Sequence, residues 1–149
     1  MSATAFHQIA QAVKAALLQS PALASGRVDL PRRHPVPAEW SEYIEVSVAT
    51  SDGTWPYVGA GTPGQWQSAV TVDIYARAAA GQQPHDRLDD LLAATALRLS
   101  TLDLAALGAV DVLPNVRIDW DWADGAEPME KVAYQFVVRH DTRTAGLAP

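Results

Sequence analysis

Cysteine is absent from this chain, which excludes disulfides, thiolate metal sites and a cysteine nucleophile, and fits a reducing compartment. Long apolar runs are missing too. None approaches the roughly 18 residues of a membrane span. The opening MSATAFHQIAQAVKAALLQS has no basic leader before an uninterrupted apolar core, so it does not read as a signal peptide. Basic residues are scarce: 11 Lys and Arg stand against 17 Asp and Glu, for a net charge of −6. That field opposes sequence-independent attraction to nucleic acid or an anionic membrane.

The motifs of common chemistry are also wanting. His7, His34, His85 and His140 lie on four different elements, without zinc spacing and without a G-x-S-x-G turn. The glycines of VGAGTPG lack the lysine-serine/threonine ending of a phosphate loop, and Pro63 removes one amide that such a cradle would use. Asp119, Asp121, Asp124 and Glu127 do not follow the graded run of oxygen ligands of an EF-hand. They read as the solvated outer face of a hairpin. The sequence therefore predicts no catalytic residue, no metal site and no cofactor, and a protein that is not an enzyme.

What is present is an ordinary globular balance, 48% apolar and 19% charged, over 149 residues. That length suits one domain, residues 1–149, with one core. Its organising stretch is Gln67 to Leu102. Val70, Val72 and Ile74 alternate with Thr71 and Asp73, the period of a half-buried strand. Leu88, Leu91, Leu92, Thr95 and Leu99 then recur at three and four, sharing one helical face. Pro84 precedes this helix and Asp86, Asp89 and Asp90 fall in or near its first turn, where carboxylates suit the helix dipole.

Around this unit the text supplies a helix from about Thr4 to Gln19, capped by Ser2 or Thr4. Its apolar stripe is Phe6, Ile9, Ala10, Val13 and Leu17. A short strand at Val28 and Leu30 runs into a proline-rich loop, 31–40, holding the basic cluster Arg32, Arg33 and His34. That cluster is either a solvated turn or a contact to an acidic partner. Ile44, Val46 and Val48 alternate up to a turn signal at Asp52-Gly53. Trp55, Tyr57 and Trp66 follow among glycines and prolines, either as a lid over the sheet or offered to a partner. Val110 and Val112 make a short strand before Pro114. Two further alternating runs, Val116 to Trp122 and Glu130 to Thr142, read as an antiparallel hairpin, and residues 143–149 as a loose tail. The fold class is α+β: a mostly antiparallel sheet with an N-terminal helix and a long core helix packed on one face.

The helical opening AFHQIAQAVKAALL, the strand-then-helix AVTVDIYARAAAGQQPHDRLDDLLAATALRL and the ending VRIDWDWADGAEPMEKVAYQFVVRHDT carry a resemblance. Their order and character resemble the tail terminator (tail completion) proteins of long-tailed bacteriophages, the lambda-like minor tail protein family. The resemblance covers most of the chain and rests on pattern rather than on an invariant motif. It implies a homohexameric ring that caps the tail tube, ends its polymerisation and meets the head-neck connector. Partners would be the chain itself, the tail tube protein and the connector. The location would be the virion's tail–neck junction after assembly in the host cytoplasm. Arg32, Arg33, Trp55, Tyr57 and Trp66 are the candidate interface residues, because ring contacts favour such side chains. Alternatives are another phage head–tail joining protein, or a small ligand-binding domain walled by Trp55, Tyr57 and Trp66.

Overall fold

The computed structural model describes residues 3–32, 34–54, 63–77, 83–107, 110–121, 129–142 and 147. Helix α1 (Ala5–Leu18) begins where the Thr4 hydroxyl accepts the amide of His7, satisfying one of the donors a helix start leaves free. The amide of Ala5 donates to the carbonyl of Leu147 at 2.7 Å. The stretch expected to be loose is thus tied, at that residue, to the start of the chain. Ile9, Ala10, Val13 and Leu17 are buried as their spacing requires, while Phe6 is half-buried.

Among the described residues, five strands form one sheet: β1 (Val28–Asp29), β2 (Glu42–Thr54), β3 (Gly64–Arg77), β4 (Val110–Asp121) and β5 (Met129–Thr142). Their spatial order is β1-β2-β3-β5-β4, with β1 parallel to β2 and every other pair antiparallel. Strand β3 is central, as the alternation of Val70, Val72 and Ile74 suggested. Helix α2 (Pro84–Ser100) lies against β3 and β5, and α1 against β1 and β2. Leu88, Leu91, Leu92, Thr95 and Leu99 all face inward. The four leucines meet Val70, Val72 and Ile74 of β3 and Val132, Phe136 and Val138 of β5 in one core. Each such side chain contributes roughly 1.5–3 kcal/mol when fully buried. The Glu42–Arg87 ion pair, at 3.4 Å, adds a link between β2 and the start of α2.

Two expectations need correction. Asp52 and Gly53 do not form a turn; β2 runs through them to Thr54, paired with Gln65, and the connection to β3 lies outside the described residues. The cause is next door: the indole of Trp66 lies against the backbone of Gly53, so that any Cβ there would collide with it. A residue with a side chain would clash, and glycine is what lets the strand continue. The second correction concerns Val110–Val112 and Val116–Asp121, which are one strand with an irregularity between Val112 and Val116 rather than two strands. As an edge strand, β4 tolerates Pro114 because that position need not donate to a neighbour.

Candidate functional site

The end of the sheet beside β1 gathers cations and aromatics. Trp40 has the guanidinium of Arg32 4.7 Å and that of Arg27 5.3 Å from its ring centroid, and the ring of Tyr43 at 5.7 Å. The backbone amide of Arg32 and the Tyr43 hydroxyl both donate to Glu45 Oε2, each at 3.3 Å. Burial, reinforced by nearby Glu45, pushes the Tyr43 phenol far up, so it stays protonated and remains a donor. Stacked guanidinium groups are worth about 0.5–1 kcal/mol each at exposed sites. This holds the start of the proline-rich loop without locking it into the core. Of the other candidate interface residues, Arg33, Trp55 and Tyr57 lie outside the described residues.

Trp66 is placed differently. It is half-buried in β3, its Nε1 donates to Thr142 Oγ1 at 3.0 Å, and its ring meets Phe6 edge-on at 5.2 Å. Intramolecular contacts occupy this side chain.

Beside it the structure brings together a pair that sequence reading could not see, since its members are 72 positions apart. Ser68 Oγ lies 2.8 Å from His140 Nε2, and Ser51 Oγ lies 2.7 Å from Ser68 Oγ. A bulge between Val48 and Thr50 makes this possible: it shifts the parity of β2 so that Ser51 faces Ser68 on the helix side. A hydroxyl on an imidazole is the start of a nucleophile–base arrangement. Here Ser68 is 0% and His140 1% exposed, Phe6 covers the ring edge-on, and His140 Nδ1 is buried with no partner among the described residues. Among the described residues the hydroxyl is closed off from solvent and no acidic group holds His140 Nδ1, so the network reads as structural.

Burial lowers the His140 pKa below its ordinary 6.5, against a smaller opposing pull from Asp141. The folded state therefore favours the neutral ring. Its contribution to stability is complete above pH 6.5 and is lost as pH falls below that value, because the unfolded chain takes up the proton first. Asp73, whose carboxyl burial holds above its ordinary 3.8, acts in the opposite sense. The expected result is a fall in the urea midpoint from about pH 7 to about pH 5 that His140→Gln flattens. An equal fall in both proteins would assign the dependence elsewhere.

The sheet face turned away from the helices is polar. Gln135 Nε2 donates to Thr71 Oγ1 at 3.3 Å, Lys131 Nζ stands 3.8 Å from Asp73, and burial raises the Tyr75 phenol to about 12. Asp119 pairs with Arg117 at 2.8 Å, and Asp111 with Arg139 at 2.7 Å. No group of acidic or histidine residues among those described is placed to hold a metal ion.

The other conspicuous surface is β4. Its register sets Val112, Val116, Ile118 and Trp120 opposite Val138, Phe136, Tyr134 and Val132, on the helix side of the sheet. Periodicity predicted that side correctly. It did not reveal how little of this strand the helices cover. The four side chains remain 42%, 49%, 44% and 36% exposed, with the imidazole of His85 against Trp120 at 5.7 Å. The apolar face of the sheet thus continues beyond the helices that cover it.

No family model matches the chain, and no curated protein matches it. Among solved structures, one aligns with a TM-score of 0.55 at 18% identity, over 90% of this chain and 92% of that one. At that identity the likeness shows the fold alone: two helices on one face of a five-stranded, mostly antiparallel sheet.

Proposed function

We propose that the protein is a structural component of a long-tailed phage, a ring former that caps the tail tube and joins it to the head-neck connector. The observation that supports this best is the partly exposed row on β4, Val112, Val116, Ile118 and Trp120. Exposed apolar residues in a contiguous row mark a surface used for protein contact. At the far end of the sheet, Arg27, Arg32 and Trp40 supply side chains of the kind that dominate such contacts. Two unlike surfaces at opposite ends of one sheet suit a heterologous contact, in which one face of each subunit meets a different face of the next. Function on this reading is geometric, with the proline-stiffened loop as an arm that loses little entropy on docking.

The test is complementation of a terminator-defective phage by Arg32→Glu and Trp40→Ala, with circular dichroism on each purified variant. Folded proteins that no longer yield joined particles are the expected outcome. Variants that fold and complement fully would remove this end of the sheet from the contact. Failure of the unaltered protein to cap tail tubes in negative-stain images would overturn the reading itself.

A further inference from the structure

We propose that, in the free protein, the open edge of β4 is closed by β4 of a second copy, the two strands antiparallel about a two-fold axis at Ile118.

Among the described residues strand β4 is the last in the sheet, and no strand pairs with its outer backbone donors and acceptors. Such an edge is a template for another strand unless something blunts it. Its first part is blunted: Pro114 has no amide hydrogen and the register slips between Val112 and Val116. The regular part is Val116–Asp121, and Ile118 lies within it. About an axis at Ile118 the side chains are complementary. Val116 meets the second copy's Trp120, Ile118 meets Ile118, and Arg117 meets the second copy's Asp119, each pair repeated by the symmetry.

The apolar pairs fall on the helix side, where Val116, Ile118 and Trp120 are 49%, 44% and 36% exposed. The charged pairs fall on the polar side. Arg117 and Asp119 are 71% and 55% exposed and already 2.8 Å apart within one chain, so joining them across the axis requires little new desolvation. Neighbouring registers fail. An axis one residue earlier sets Arg117 against itself, and one residue later sets Asp119 against itself, and like charges directly opposite are destabilising. A second copy fits this edge, in one register.

This pair does not depend on the ring reading. Where that reading holds, the pair is the resting form, and the row on β4 becomes available when the two copies part.

Sedimentation velocity of the full chain over a concentration series should show a monomer–dimer equilibrium. Arg117→Asp alone and Asp119→Arg alone should each weaken the dimer roughly tenfold, since each places like charges opposite one another twice. The double change restores opposite charges and should return the affinity to within about threefold of the original. Circular dichroism confirms that each variant is folded. The chain has no cysteine, so Ile118→Cys under mild oxidation should give a covalent dimer and Val112→Cys should not. Any of three results would overturn the proposal: a monomer at every concentration, a dimer indifferent to charge reversal, or equal cross-linking at both positions. Loss of tail joining with the dimer intact would overturn the ring reading and leave this one standing.

Discussion

Leu92→Ala is expected to destabilise the protein by about 2–5 kcal/mol, the range for emptying a buried leucine site. The side chain is 7% exposed on the face of α2 that meets β3 and β5, in the same cluster as Val72 and Phe136. Helix and sheet both anchor the site, so neither can collapse far into the space left. Leu97, one turn further along and on the opposite side, is 73% exposed. Its replacement by alanine should change stability by no more than about 0.5 kcal/mol. The measurement is the urea midpoint of both variants. Comparable losses would mean that α2 is rotated from the face assigned to it.

The second large effect is expected at Arg98. Its Nη1 donates to the carbonyls of Ala16 at 2.9 Å and Gln19 at 2.8 Å, and its Nη2 to that of Pro21 at 2.9 Å. Those carbonyls are at and just beyond the end of α1, where a helix leaves acceptors unpaired and carries the negative end of its dipole. Helix α1 has no basic residue of its own in the last turn, so α2 supplies the cap from outside. Two of the three bonds are exposed to solvent, which reduces their worth. Arg98→Ala should still cost about 2 kcal/mol. Arg98→Lys retains the charge but not the planar fork, and should recover less than half of that. Hydrogen exchange should speed up at the end of α1 before it does so in β3. A uniform change across the molecule would argue against a local cap.

Much of this architecture was legible because the signals are local. The spacing of Leu88, Leu91, Leu92, Thr95 and Leu99 sets the buried face of α2, and alternation in Val70, Val72 and Ile74 sets that of β3. Where sequence reading missed, the cause lay in contacts between distant segments. Asp52-Gly53 has the chemistry of a turn, but the indole of Trp66 makes that glycine the place where β2 can continue. The Ser51–Ser68–His140 network depends on a bulge that no residue in β2 announces. On β4 the alternating pattern gave the side on which Ile118 stands. Its exposure follows from how little of the strand the helices cover, a property of other segments.

The two borders of the sheet are unlike. On one, β1 is only two residues long and is followed by Pro31, and β2 beside it is bent by its bulge at Val48–Thr50. Both devices make a border a poor template. On the other, β4 is long and regular past Pro114. A sheet receptive on both sides can recruit strands without limit and is a seed for fibres. With one side receptive, recruitment stops after a single addition. The stub of β1 and its prolines therefore limit strand-by-strand growth to one addition, so an adhesive strand at the other border need not seed a fibre.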